Sequence, residues 1–437
     1  MTRHRSALLV SVTAAALLLG CDDPAPRPPG GPAVARDQSQ SGRTPPAEPG
    51  GAPAQTDRSA PAAPAASPAL VATAAAAPVF AAKVPSLFVR SGRCAECHET
   101  MRGEWASSAH ARASHSAAYR KSLAAAPAEL QGLCTSCHLP SFAAGQPSDE
   151  PGRPSEGVSC DGCHTISAVQ VQKTAAAMTF DPSSGKKYGP IPGASGHYFH
   201  DMAYSQLHQR SEFCAGCHHL TAFKVAGSER PIPVVTDFSD WQRIGCKKSC
   251  QDCHMPSRGS AAVARGSQPR PNVPAHSFPG AAALAKLLKF ELVARNKPGE
   301  IAVEISHSAG HMLPSGFVDR RLLVRAEWLG ADGSKLGTED RVYGIMLSDD
   351  AGQPAPFFAA TRIKQDRRMA PGKSYIESFR IPPAAPGSPA APAGPVKLTV
   401  SLIAAPTAPD LSAVYGEPEL TVLRSTSANV PLRAGGK

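Results

Sequence analysis

Apolar and polar residues alternate with the period of a half-buried strand only late in this chain. Glu300-Ile301-Ala302-Val303-Glu304-Ile305-Ser306 shows the pattern, and Arg321-Leu322-Leu323-Val324-Arg325-Ala326-Glu327-Trp328 repeats it. Asp332-Gly333, just after that run, is a hairpin signal. Tyr375-Ile376-Glu377-Ser378-Phe379-Arg380-Ile381 and the run from Val396 to Ile403 continue it. About seven short strands over roughly 130 residues predict an all-β, sandwich-like domain at 288–437. Nothing in that stretch reads as catalytic. Residues 86–287 lack the alternation. Their pattern predicts short helices joined by Gly- and Pro-rich loops such as 140–157 and 181–196, with the longest helical stretch at 95–121.

The N-terminal pattern is different again. Residues 22–85 are rich in Pro, Ala and Gly and carry no period. Such a composition cannot bury a core, so it predicts a disordered, semi-extended tether, with a typical reach of roughly 40–50 Å. A neutral spacer of unselected length is the alternative. Before it, Arg3 and Arg5 precede Ala7 to Leu19, a mostly apolar run of 13 residues. That is a signal for export over 1–21, too short to span a bilayer. Leu18-Leu19-Gly20-Cys21 resembles the bacterial lipobox, which implies cleavage before Cys21 and its lipidation. An ordinary signal with a chance cysteine is the plainer alternative. Either way the chain leaves the cytoplasm, for the periplasm or the outer surface.

Cysteine usage changes the picture most. The chain has 12 cysteines in 437 residues. Ten sit in five copies of one pattern: Cys94-Ala95-Glu96-Cys97-His98, Cys134-Thr135-Ser136-Cys137-His138, Cys160-Asp161-Gly162-Cys163-His164, Cys214-Ala215-Gly216-Cys217-His218 and Cys250-Gln251-Asp252-Cys253-His254. C-x-x-C-H is the attachment pattern of c-type haem. The two thiols add across porphyrin vinyl groups, and the next His supplies the proximal iron nitrogen. One copy could be a redox dithiol or half a zinc site. Zinc does not require His directly after the second Cys, and here every copy has it. The cofactor expected is therefore five covalently bound haem c, with His98, His138, His164, His218 and His254 as proximal ligands. Aromatic content is only 5%. Five porphyrins packed into 86–287 would supply the flat apolar surface that aromatic side chains usually give, and would lie close together.

Charge then excludes one function class. The whole chain is +10, and residues 86–287 hold 20 Lys plus Arg against 15 Asp plus Glu. Porphyrin propionates would largely cancel that excess, and no basic cluster is interleaved with aromatics, so nucleic acid is not a partner. Outside the motifs and the signal, nine histidines remain: His110, His115, His197, His200, His208, His219, His276, His307 and His311. A second imidazole makes iron six-coordinate and suited to electron transfer. His110, His276 and His311 are the leading candidates for distal ligands, followed by His208, His200, His197 and His115. His197 and His200 are alternatives for one site. His110 is too close to the first motif to reach over its own haem. His219 adjoins a proximal ligand and points elsewhere. Cys246 has no second free cysteine in the folded part and reads as a buried, inert thiol, a thiolate ligand being the weaker alternative.

Gly157-Val158-Ser159-Cys160-Asp161-Gly162-Cys163-His164, Glu212-Phe213-Cys214-Ala215-Gly216-Cys217-His218 and Cys250-Gln251-Asp252-Cys253-His254-Met255-Pro256 resemble bacterial multihaem c-type cytochromes. Across roughly 90–320 the chain is similar to the tetrahaem electron carrier of ammonia oxidisers, whose superfamily includes pentahaem nitrite reductase and octahaem hydroxylamine oxidoreductase. The resemblance implies closely packed haem pairs, distal roles for the segments of His110, His276 and His311, and electron transfer outside the cytoplasm. Two features depart from the enzymes. Nitrite reductase carries its catalytic haem on C-x-x-C-K, and here all five motifs end in His. Five haems also cannot build the hydroxylamine oxidoreductase arrangement. The reading is a mixed fold, a haem-packed, mainly α and irregular cytochrome domain at 86–287 followed by the sandwich. It implies a lipid-anchored electron carrier between a redox protein donor and acceptor, with no catalytic residues. The alternatives are a reductase of a small nitrogen or sulfur compound with one open haem site, and a docking subunit of a larger electron-transfer complex.

Overall fold

Each C-x-x-C-H pattern is expected on one turn of helix, because residues i, i+3 and i+4 share a helix face. In a computed structural model, which describes residues 88–143, 156–196, 199–228, 230–293, 300–381 and 396–430, this holds for the last four copies, while the first runs from the end of a helix into a turn. The signal, Cys21, the tether and His197 lie outside the described residues. The first motif ends helix α1 (Ser91–Cys94), and His98 N–H donates to the Cys94 carbonyl at 2.8 Å, closing the turn. Helices α2 (Glu99–Ala106) and α3 (Ala117–Ala125) follow, and α4 (Ala128–His138) ends on the second motif. After α5 (Pro140–Ala143), α6 (Cys160–His164) is the third motif itself, capped by Ser159 Oγ accepting from Gly162 N. The fourth motif ends α7 (Ser211–His218), and α8 (Asp237–Ile244) comes next. The fifth forms α9 (Cys250–His254), held by a capping box between Ser249 and Asp252.

Two expectations for this region need correcting. No long helix occupies 95–121. The chain breaks between α2 and α3, where Ser107 Oγ donates back to the Glu104 carbonyl and Arg112 caps the Ser107 carbonyl at 2.6 Å. Side-chain bonds of this kind offer the backbone an alternative to helix. The region also contains more strand than a mainly α and irregular domain. Strands β1 (Ile166–Val171) and β2 (Ala176–Phe180) form an antiparallel hairpin, and β3 (Lys186–Gly189) pairs in parallel with β4 (Asp201–Tyr204). Ala176 and Met178 alternate inward on β2. Cys246 is buried, as expected.

From Leu288 onward the strands dominate, after the short helix α10 (Ala281–Leu287). The order is β5 (Leu288–Val293), β6 (Glu300–His307), β7 (Arg321–Leu329), β8 (Lys335–Tyr343), β9 (Ile345–Ser348), β10 (Arg362–Asp366), β11 (Tyr375–Arg380), β12 (Val396–Ala405) and β13 (Thr421–Val430), with α11 (Ser412–Tyr415) before the last. One sheet has the order β11-β6-β5 and the other β13-β12-β7-β8, every pair antiparallel. Val303, Ile305 and Phe379 from the first sheet meet Leu322, Val324, Trp328, Leu398 and Val400 from the second in one core. The β7–β8 turn is at Asp332-Gly333, with Gly333 at φ +82°.

A second core crosses from one region into the other. Ile232 and Val234 pack with Val318, Ile345, Leu347 and Phe357. Each such side chain contributes about 1.5–3 kcal/mol on burial. Across the same seam Val318 N–H donates to the Val234 carbonyl at 2.9 Å, and the Arg368 guanidinium bonds Asp240 and Thr236, both at 2.7 Å. Among the described residues no helix is long and apolar enough to cross a membrane.

Candidate haem centres

Four of the five motif histidines spend Nδ1 on the protein. His98 donates to the Val263 carbonyl (2.7 Å), His138 to Ala113 (3.0 Å) and His164 to Tyr188 (2.7 Å). His218 donates to a carboxylate, Asp237 Oδ2, at 2.9 Å. A ring bonded at Nδ1 presents Nε2 to a metal, and such bonds fix tautomer and orientation.

Opposite four of these rings stands another imidazole. Ring centroids are 6.3 Å apart for His98 and His200, 6.3 Å for His164 and His276, 6.3 Å for His218 and His110, and 6.2 Å for His254 and His311. Two imidazoles that bind one metal ion end-on, at about 2 Å from each nitrogen, place their centroids about 6.3 Å apart. The rings lie within 18–28° of parallel in three pairs and at 75° in the His110–His218 pair. Either orientation is compatible with both nitrogens lying on one axis. The paired imidazoles have the spacing that the two axial positions of haem iron require.

The distal rings are held from far along the chain. His110 sits in the break after α2. Its carbonyl accepts from Val158 N at 3.0 Å, and Trp105 Nε1 donates to the Val158 carbonyl at 2.8 Å. Gly157, at φ +64°, permits this approach, because a Cβ there would lie 2.5 Å from the His110 oxygen. Burial pushes the His110 imidazole down to about 4, with His218 and His254 adding to the effect. Its Nδ1 is buried with no protein partner. His276 N–H donates to Glu104 Oε2 at 2.7 Å, and Arg258 pairs with the same carboxylate. Burial and the neighbouring His164 take the His276 ring down to about 4 as well. Both rings are thus neutral near pH 7, as a ligand must be. His311 lies in the loop between β6 and β7, so the sandwich contributes to the centre of the fifth motif.

The other candidates separate. His208 also faces His164, at 5.8 Å, but its Nε2 is 3.4 Å from the Cys163 carbonyl and its ring rests on Phe213. His276 has the better spacing for iron, and His208 stands as a neighbour of the same centre. His115 bonds Ser114 Oγ at 2.8 Å and opposes no motif histidine. His219 bonds the Gln172 carbonyl, and His307 uses both ring nitrogens, on the Met369 carbonyl and Ala309 N. His138 faces no second imidazole among the described residues. Tyr119 stacks on it at 4.3 Å, 15° from parallel. Sequence reasoning missed Asp237, Tyr119 and Phe278. Phe278 has φ +46° and packs edge-on against His110 at 4.3 Å. None of the three carries a local sequence signal.

The motifs also touch one another. The side chains of Cys94 and Cys160 lie near each other, as do those of Cys137 and Cys217, and of Cys214 and Cys250. One device recurs: Cys160 N–H donates to Ser91 Oγ at 3.2 Å, and Cys250 N–H to Ser211 Oγ at 3.1 Å. In both cases the serine lies three residues before the first cysteine of the partner motif.

A sequence-family profile, cytochrome c554 and c-prime, matches residues 93–165, which hold the first three motifs. The structure is similar to the crystal structure of a penta-heme cytochrome c552 from Thermochromatium tepidum, with a TM-score of 0.59 and 21% identity, covering 79% of this chain and 100% of that one. The chain has a multihaem cytochrome c fold. No curated protein matches the sequence.

Proposed function

We propose that this chain is an exported pentahaem c-type cytochrome that carries electrons between a donor and an acceptor protein. The four opposed imidazole pairs at 6.2–6.3 Å carry this reading. Haem, when bound, supplies one-electron exchange between ferric and ferrous iron. The paired histidines hold both oxidation states in one geometry, so little reorganisation accompanies each transfer. The closely placed cysteines of neighbouring motifs bring the sites close enough for electrons to pass along the chain. Residues 86–287 serve as the haem domain and 288–437 as the sandwich docked on it. Cys21 and the tether anchor both to a membrane, at the periplasmic or outer face. Labelling with an acyl probe tests the anchor, and Cys21→Ala should abolish it. Among multihaem cytochromes, the reading places the chain near the tetrahaem carriers of ammonia oxidisers.

A second reading rests on one observation. His138 faces Tyr119 rather than an imidazole, which suits a reductase of a small nitrogen or sulfur compound with one open iron. Low-temperature EPR of the ferric, haem-loaded protein, with spins counted, decides between them. The carrier reading expects at least four low-spin bis-imidazole centres. A fifth low-spin centre removes the reductase. A high-spin signal from about one haem in five supports an open site. Two or more high-spin centres would sink the carrier reading.

A further inference from the structure

The fourth motif differs from its neighbours in what its histidine leans on. His98, His138 and His164 each donate Nδ1–H to a neutral backbone carbonyl. His218 donates to Asp237, the first residue of α8. Across the axis, His110 has a buried Nδ1 with no protein partner. Of the axial pairs, this one alone combines a carboxylate on one ring with a bare ring opposite. The other Asp237 oxygen, Oδ1, accepts from Gly316 N at 2.6 Å. Gly316 lies five residues after His311, in the loop that faces His254. Both carboxylate oxygens are thus engaged, one on a motif histidine and one on the loop that carries His311.

We propose that Asp237 is a positioning residue that lowers the reduction potential of the haem bound at Cys214 and Cys217, making it the low-potential member of the set. This rests on the five motifs being haem sites. The carboxylate draws the Nδ1 proton toward itself, Nε2 gains negative charge, and ferric iron is favoured over ferrous. The cysteines of the fourth motif lie near those of the second and the fifth. A low-potential site there acts as a step that every electron passing between those branches must climb. Because the same carboxylate holds Gly316, the step is tied to the docking of the sandwich loop.

The test is a spectrally resolved redox titration of the haem-loaded protein and of Asp237→Asn. Outer-sphere partners of metal-bound His change equilibria about 10–100-fold, which for one electron is about 60–120 mV. One midpoint should rise by that amount while the others stay, and Asp237→Glu should return it most of the way. A purely structural role would shift several midpoints together or none, and either result overturns the proposal. If Asp237→Asn fails to load haem, near-infrared magnetic circular dichroism of the wild type takes its place. One bis-imidazole charge-transfer band should stand apart at higher energy, and coincident bands overturn the proposal. Mass spectrometry of the peptide holding Cys214 and Cys217 separates the two levels. A peptide without haem defeats the haem reading itself, whereas a loaded peptide with an unmoved midpoint defeats only the role of Asp237.

Discussion

The motif region and the sandwich are held together by different means. In the sandwich, Val303, Ile305, Val324, Phe379, Leu398, Val400 and Leu402 are all fully buried, and two sheets share one continuous core. In the motif region the compact apolar cluster is small, with Ala176, Ala215 and Phe238 at its centre, and all ten motif cysteines keep some exposure. The one covers its apolar surface with its own side chains. The other has few apolar side chains at its centre. Secondary structure alone would not show this, because both regions have well-formed elements.

The largest effect should come from blocking haem attachment. Without it, the motif region is expected to lose its order while the strands after Leu288 keep theirs. Limited proteolysis of the full chain should then leave a resistant fragment beginning near β5. Uniform digestion of the whole chain would break the comparison. Next in size is Phe379→Ala, which opens the sandwich core and should cost about 3–5 kcal/mol. Denaturant titration should show that loss in the transition of the strands, and the haem absorption should change little at low denaturant. The smallest effect concerns Asp319, which is fully buried and bonded to Tyr415. Burial pushes its carboxyl up to about 6, against the opposing pull of Tyr415 and Arg321. The fold therefore binds this proton more tightly than the unfolded chain does. Its stabilising contribution is full below about pH 4 and is lost as pH rises through about 6, a change of about 2–3 kcal/mol. Asp319→Asn should flatten unfolding free energy across that window, and an unchanged slope would show that Asp319 does not titrate there.

What could be read from the sequence follows the range of the interaction. The five motifs were legible because thiols and histidine must share one helical turn, and Cys94 to His98 contains all the needed information. The strands of the sandwich were legible because alternation such as Glu300 to Ser306 is local. The break between α2 and α3 was not, since it depends on bonds from Arg112 and on the approach of Gly157 to His110. The hairpin of β1 and β2 is too short for its alternation to outweigh the surrounding Gly and Pro. The partners of the distal histidines could not be read at all. His110 finds His218, and His276 finds His164, only through the tertiary fold. Asp237 begins an ordinary amphipathic helix and shows its role only when His218 lies beside it.

The axial pairs have one more consequence, for the topology of the chain. His98 with His200, His110 with His218, His164 with His276 and His254 with His311 each close a loop, and every loop opens inside the one before it. With iron between each pair, the chain from His98 to His311 is laced by overlapping cross-links, much as a disulfide-knotted toxin is. A cross-link around a loop of roughly 100 residues removes on the order of 4 kcal/mol of disorder from the unfolded chain. Because the loops interlock, no single segment can peel away without straining the next. The last lace would pass into the loop between β6 and β7 and would thread the sandwich onto the same cord.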